Sequence, residues 1–287
     1  MKRVRKPEWL KIKLNNSGNY SNVEKIVRDN SLNTICSSGL CPNKGECWSR
    51  GTATFMILGD ICTRSCRFCA TATGVPVPPD KNEPLRVADA VSLMKLRHCV
   101  ITSVTRDDLP DQGAGHWASV IRKCREINPG TTIEVLLPDF GAGKKLISTV
   151  IEAQPDILSH NIETVKRITP AVRSKANYET SIDALKIMAE SGIITKSSFM
   201  LGLGETPEEV EETLTDLYNA GCRVVCIGQY LQPTRRHYEV AEYITPGQFA
   251  EYKEFALSLG FIHAECGPLV RSSYMSDNAV LDYLSKK

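Results

Sequence analysis

The 287-residue chain has no apolar run approaching the ~20 residues a helix needs to cross a bilayer, so no membrane association is expected. Charge of one sign is also missing. Its 35 basic and 33 acidic residues leave a formal net charge of +2, which gives no reason to propose nucleic acid as a main partner. Low-complexity tracts and internal repeats are absent, which argues against linker-rich and repeat architectures. The basic start (Lys2, Arg3, Arg5, Lys6, Lys11 and Lys13) has no apolar segment behind it, so it reads as a solvated tail rather than a secretory signal. What remains is an ordinary globular composition, 42% hydrophobic and 24% charged, with eleven cysteines. Without a signal, so many thiols point to a reducing, cytoplasmic compartment and to metal binding over disulfides.

From about residue 53 short apolar runs alternate with helical patterns, the rhythm of βα units around a parallel sheet. Strands are expected at Ala53–Leu58, Cys99–Val104, Thr132–Leu137, Asp156–Asn161, Thr195–Leu201 and Arg223–Tyr230. Helices are expected near 86–97, 115–127, 144–153, 178–191, 207–220 and 246–259. Thr206-Pro-Glu-Glu209 and Thr245-Pro-Gly-Gln248 each combine a Thr cap, Pro in the first turn and a Glu or Gln three residues on. Gly192 and Gly260 are natural left-handed stops for the helices before them. Six strand–helix pairs are too few for a closed eightfold barrel and suit an open barrel or a doubly wound sheet.

On this scaffold the polar residues gather after strand C-termini, the end at which βα folds build active sites. Cys62, Cys66 and Cys69 follow the first strand; Ser103, Asp107 and Asp108 the second; Asp139 the third. Asn161 and Glu163 close the fourth, Glu205 follows the fifth and Gln229 ends the sixth.

Six of the eleven cysteines fall in two triplets. The second, Cys62-Thr-Arg-Ser-Cys66-Arg-Phe-Cys69, can place one thiolate on each of three irons of a cubane and leave the fourth iron open. Clusters that only carry electrons usually take four cysteines, whereas an open metal position is where chemistry happens. The alternative is a structural zinc completed by a distant Cys or His, although such sites usually pair two short hooks. The first triplet, Cys36-x4-Cys41-x5-Cys47, read alone is a zinc hook or a set of buried thiols. Cys99, Cys124, Cys222, Cys226 and Cys266 are expected to be small buried hydrophobes.

The CxxxCxxC loop, with Phe68 before its last Cys, resembles the signature of the radical S-adenosylmethionine (SAM) superfamily. The first triplet just upstream of it resembles the auxiliary-cluster motif of lipoyl synthases. The similarity continues through Lys6-Pro-Glu-Trp-Leu10, Thr102-Ser103-Val104 with Arg106-Asp-Asp-Leu-Pro110, His160-Asn-Ile-Glu-Thr164 and Met200-Leu-Gly-Leu-Gly-Glu205. It ends with Gln229-Tyr-Leu-Gln-Pro233, Cys266-Gly-Pro and Arg271-Ser-Ser-Tyr274. The chain departs from the pattern at Thr105, where family members often carry Asp, and at Ser198, where Gly is common.

The resemblance implies an α/β fold, an incomplete (β/α)6 TIM-like barrel over 51–262. An N-terminal extension, 1–50, would carry the auxiliary-cluster cysteines. A C-terminal extension, 263–287, would fold back to that cluster. It implies two 4Fe–4S clusters and SAM as cofactors. Cys62, Cys66 and Cys69 would hold the radical cluster, whose open iron binds SAM and whose electron releases a 5′-deoxyadenosyl radical. Cys36, Cys41, Cys47 and Ser272 would hold the auxiliary cluster, the consumed sulfur source. Serine is a harder, weaker partner for iron than thiolate, which suits an iron that must be lost. The reaction would insert sulfur at carbons six and eight of a protein-bound octanoyl-lysine chain. Phe68, Ser103, Asp107, Asn161, Glu163 and Gln229 would contact SAM, with Asn161 and Glu163 on the ribose and Ser103 or Asp107 on the methionine part. Strand-end polar residues satisfied by loop backbone are the alternative for these. The implied partners are octanoylated lipoyl domains or the glycine-cleavage carrier protein, and an electron donor such as flavodoxin or ferredoxin. Two rivals stand beside this reading: a radical methylthiotransferase acting on tRNA, for which neither spare length nor basic surplus is present, and a two-site zinc-binding module.

Overall fold

The computed structural model describes residues 5–11 and 18–274. Lys2, Arg3 and Lys13 of the basic start, and 275–287 of the C-terminal extension, lie outside the described residues.

Ahead of the barrel come α1 (Gly18–Asp29), the two-residue β1 (Asn33–Thr34), and the short helices α2 (Ile35–Ser38) and α3 (Lys44–Ser49). The barrel then alternates β2 (Thr54–Ile57), α4 (Glu83–Leu93), β3 (His98–Ser103), α5 (Ala114–Ile127), β4 (Thr132–Leu136), α6 (Lys144–Ile151) and β5 (Ile157–Ser159). It continues with α7 (Thr169–Val172), α8 (Tyr178–Ala189), β6 (Ile194–Leu201), α9 (Pro207–Asn219), β7 (Val224–Gln229), α10 (Pro246–Leu259) and β8 (His263–Gly267).

All six expected strands are present in one sheet of order β1 to β8, in which every pair is parallel except β1 with β2. The strand order never reverses, so the incomplete barrel holds and the doubly wound alternative falls. The structure adds β8 as a seventh parallel strand, its Ala264 opposite Val225 and its Cys266 opposite Ile227. The sheet therefore runs past residue 262, the expected end of the barrel.

The outer helices are held by spaced apolar faces. In α5 the buried residues Ala114, Trp117, Ala118, Ile121 and Cys124 recur at three- and four-residue steps and pack on the sheet. Burying a side chain such as Ile121 contributes roughly 1.5–3 kcal/mol. Both expected capping boxes form, Thr206 with Glu209 and Thr245 with Gln248. Gly192 and Gly260 take positive φ, 77° and 107°, after α8 and α10. A separate small core of Val23, Cys36, Trp48 and Ala53 seats the N-terminal segment, with Tyr20 against Trp48 at 5.2 Å.

The gap between the sheet's two edges is crossed by residues 268–274. Asn43 Nδ2 donates to Leu269 O (2.7 Å), Thr54 Oγ1 to Ser273 Oγ (2.9 Å) and Tyr274 Oη to Glu46 Oε1 (3.1 Å). Gly228 makes this possible, because a Cβ there would collide with the Val270 carbonyl.

Candidate active site

Register places Met56, Thr102, Leu136 and Met200 on one face of the sheet, at the C-terminal ends of their strands. These four line a cavity of about 520 Å³. Deeper on the same face, toward the strand N-termini, lies a buried polar plug. Lys196 Nζ donates to Glu134 Oε1 (2.8 Å), Ser159 Oγ donates to the same oxygen (3.2 Å), and His98 Nε2 is 3.3 Å from Glu134 Oε2. Burial alone would raise Glu134, but the Lys196 charge and His98 outweigh it and hold the carboxyl down at about 2. Burial would lower the Lys196 ammonium, but the Glu134 charge and hydrogen bond, with Cys226 adding to them, together hold it above its ordinary value.

Cys62, Cys66 and Cys69 all line the cavity, on a loop between β2 and α4. The loop is fixed from three sides. Against the segment after β3, Thr63 N and Oγ1 both donate to Thr105 O (3.1 and 2.9 Å). Against α7 and its end, Arg67 N donates to Val172 O (2.8 Å) and Ser65 N to Ser174 Oγ (3.0 Å). Against residues 230–240, Cys69 O lies 3.0 Å from His237 Nε2. Cys62 Sγ accepts from Arg64 N and Thr105 N, each at 3.4 Å. Thr105 acts through its backbone alone, so its departure from the family's Asp leaves these contacts intact.

Arg64, inside the cysteine loop, is an anchor that the spacing of cysteines does not announce. Its Nε and Nη2 grip Asp107 (each 2.9 Å at the nearer oxygen), and its Nη1 and Nη2 grip Asp139 (2.6 and 3.0 Å). Burial would raise Asp139, but the bonds from Arg64 hold its carboxyl well below the usual carboxylate range. His160, expected only as part of a motif, meets Leu137 O through Nδ1 (2.8 Å) and Ser181 Oγ through Nε2 (3.1 Å). Arg173 donates to the same Ser181 hydroxyl (2.8 Å) and lines the cavity. Burial, then the Arg173 charge, push His160 down to about 4, so its ring is neutral with the proton on Nδ1.

Of the first triplet Cys41 reaches this cavity, while Cys36 and Cys47 do not line it. Cys36 sits in α2, whose cap Thr34 accepts from Ser37 N; Cys41 N donates to Cys36 O (3.1 Å); Cys47 sits in α3. Cys41 lines the cavity together with Arg271, Ser272 and Ser273. Burial pushes the Cys41 thiol up, with Cys36 adding to it, and pushes Cys47 up to about 12, with Cys36, Cys41 and Glu46 adding to that. Burial also pushes Cys69 up. Crowded, buried thiols of this kind ionise when cationic metal neutralises them, so the donor set fits iron. Among the described residues no three His, Cys, Asp or Glu side chains are drawn together as a single-ion site requires.

The other expected contacts divide. Phe68, Ser103, Asn161 and Glu163 line the cavity. Ser103 Oγ and Asn161 Oδ1 are buried without a hydrogen-bond partner, which leaves them free for a polar ligand such as SAM. Burial raises the Glu163 carboxyl against the pull of Arg173 and Asn161. Two residues are placed elsewhere. Asp107 is taken by Arg64 and does not line the cavity. Gln229 spends its amide on structure: Nε2 donates to Leu201 O, Tyr230 O and Glu242 O (each 3.1 Å) and Oε1 accepts from Ile244 N (2.8 Å). Gly202 makes its close approach to this same amide, and Glu205 holds the glycine turn by accepting from Gly202 N and Leu203 N.

An open parallel barrel carrying a three-cysteine loop at its C-terminal face defines a radical SAM enzyme. A profile of the Radical SAM superfamily matches residues 56–217. Solved structures share the fold at low identity. Methylornithine synthase superposes with a TM-score of 0.56 at 10% identity over 80% of both chains. The [FeFe]-hydrogenase maturase HydG superposes with 0.52 at 10% identity, covering 88% of this chain and 69% of its own. Sequence relatives are far nearer. A lipoyl synthase of Bacteroides fragilis is 60% identical over 279 residues, 97% of each chain, and one of Treponema denticola is 52% identical over 277 residues, 96% of each. The chain belongs to the lipoyl synthase family, whose members use two 4Fe–4S clusters and SAM, act on octanoylated carrier proteins and need an electron donor. Among the described residues no helix is long and apolar enough to cross a membrane.

Proposed function

We propose that Cys62, Cys66 and Cys69 hold the radical cluster, and that Cys36, Cys41, Cys47 and Ser272 hold the auxiliary cluster. The chain then inserts sulfur at carbons six and eight of a protein-bound octanoyl-lysine. The observation that carries this reading is the convergence of Cys41, Cys62, Cys66, Cys69 and Ser272 on one cavity. When bound, the radical cluster with SAM supplies a hydrogen-abstracting radical, and the auxiliary cluster supplies sulfur.

The chain's own residues bind and orient. Ser103 and Asn161 offer unpartnered oxygens to SAM, beside Glu163 and Phe68. Met56, Leu136, Met200 and Tyr230 give the same cavity an apolar wall fit for an alkyl chain. Arg64 ties the radical loop to the segments after β3 and β4, so the two reactants are held on one frame. The finer partners extend the same reading: an octanoylated lipoyl domain or glycine-cleavage carrier as substrate, and a flavodoxin or ferredoxin as reductant.

An iron and acid-labile sulfide count on anaerobically reconstituted protein tests the assignment. Wild type should hold about eight irons, on the two-cubane pattern. Replacing Cys62, Cys66 and Cys69 together by Ala should halve that and abolish SAM cleavage. Cleavage surviving that triple change would refute the radical-cluster assignment.

A further inference from the structure

Residues 230–240, between β7 and α10, make more contacts with the radical loop than a connecting segment needs. His237 Nε2 lies 3.0 Å from Cys69 O, and Tyr238 N donates to Arg67 O (2.8 Å). The Arg67 guanidinium stands 5.1 Å from the centre of the Tyr238 ring. The segment is braced behind these contacts: Tyr230 Oη donates to Tyr238 O (2.7 Å), and Gln232 Nε2 donates to His237 O (2.9 Å). The Cys69 carbonyl can only accept, so Nε2 carries the imidazole proton. Thr234 Oγ1, 2.9 Å from Nδ1, fixes the ring from its other edge.

The same segment supplies Tyr230, Leu231, Gln232 and Pro233 to the cavity wall. His237 thus joins, through one short bridge, the loop that holds the radical source and the wall against which the acyl chain would lie. From this we infer that His237 is a positioning residue: its clasp on the Cys69 carbonyl sets the distance between the site of SAM cleavage and the acyl carbon. This rests on the reading of the cavity given under Proposed function. Radical chemistry punishes loss of such alignment in a specific way. A 5′-deoxyadenosyl radical formed out of reach of its target C–H would instead take a hydrogen atom from another C–H or S–H bond, giving 5′-deoxyadenosine, and SAM would be spent without sulfur insertion.

The test compares wild type, His237→Ala and His237→Gln as reconstituted holoenzymes with an octanoyl-lysine peptide. It measures iron content, amide exchange over 66–69 and 234–238, and 5′-deoxyadenosine formed per sulfurated peptide. His237→Ala should keep its iron, exchange faster in both segments, and raise that ratio roughly tenfold, part of the roughly hundredfold that a 1 Å misplacement can cost. His237→Gln, which keeps an N–H donor, should return both readouts toward wild type. If the alanine variant loses iron or does not fold, Thr234→Val decides, because it leaves the imidazole in place and removes the hydroxyl that faces Nδ1 and also accepts from Arg236 N; the same rise, in smaller measure, is expected. An unchanged ratio in the folded variant, or a rise that His237→Gln does not reverse, overturns the inference. Wild type that makes no sulfurated peptide would instead refute the functional reading, while the exchange data still report on the clasp.

Discussion

Thr54 Oγ1 donates to Ser273 Oγ at 2.9 Å, tying the first barrel strand to a residue 219 positions later. That bond sets the neighbouring Ser272 on the cavity wall shared with Cys41. Closing so long a loop costs only logarithmically more than closing a short one, and the Asn43 and Tyr274 bonds help to offset it.

Ser272→Ala should therefore keep the radical cluster and the cleavage of SAM while impairing sulfur transfer. Ser272→Cys should hold the fourth auxiliary iron more tightly, since thiolate is the softer ligand, and slow the second sulfur insertion. Mass spectrometry of the mono- and disulfurated peptide over time reads both. Wild-type kinetics in both variants would remove Ser272 from the auxiliary site.

The buried groups make stability fall with acid in two successive windows. His160 has a folded pKa of about 4 against an ordinary 6.5. The stability it contributes is complete above pH 6.5 and is lost as pH falls toward 4, because the unfolded chain binds the proton first. Glu134, at about 2 against 4.5, adds a second loss between those values. Anaerobic urea unfolding at pH 7, 6 and 5 should show a falling midpoint, and His160→Asn should flatten it. An unchanged slope in that variant would mean that His160 is not held neutral by the fold.

Removing Arg64 should cost more than its place in a loop suggests, because its side chain is largely buried. Arg64→Ala leaves the Asp139 carboxylate buried without its main partner, and breaking a buried pair in this way costs about 3–5 kcal/mol. Arg64→Lys should rescue little, since an ammonium cannot grip Asp107 and Asp139 bidentately at once. Denaturant midpoints and SAM affinity should fall together; a fall in affinity alone would recast Arg64 as a direct SAM contact.

The barrel was legible because a fully buried parallel strand must be apolar and its outer helix must be amphipathic. β8 escaped because it is an edge strand: His263, Glu265 and Cys266 are only partly buried, and their mixed polarity reads as an extension. The two cysteine triplets stood out by spacing, since three irons of a cubane would demand three nearby thiolates, and the fold brings Cys41, Cys62, Cys66 and Cys69 to one cavity. Ser103 and Asn161 were legible as strand-end residues, and the fold leaves their oxygens unpartnered in the cavity. Asp107 and Gln229 looked the same in one dimension. What separates them is three-dimensional: Arg64 claims one carboxylate, and the carbonyls of Leu201, Glu242 and the adjacent Tyr230 claim one amide. His237 carried no signal beyond its place four residues after Pro233, because its partner is a backbone carbonyl 168 positions away.

In the proposed reaction the two clusters divide the labour, one forming the radical and the other giving up sulfur. The measurement is anaerobic turnover of an octanoyl-lysine peptide with SAM and reductant, read by mass spectrometry, in wild type and in the variant with Cys36, Cys41 and Cys47 all changed to Ala. Wild type should add two sulfur atoms, and the variant should form 5′-deoxyadenosine but no sulfurated peptide. Sulfurated peptide from the variant at wild-type yield would contradict it, because the sulfur would then come from somewhere other than the first triplet.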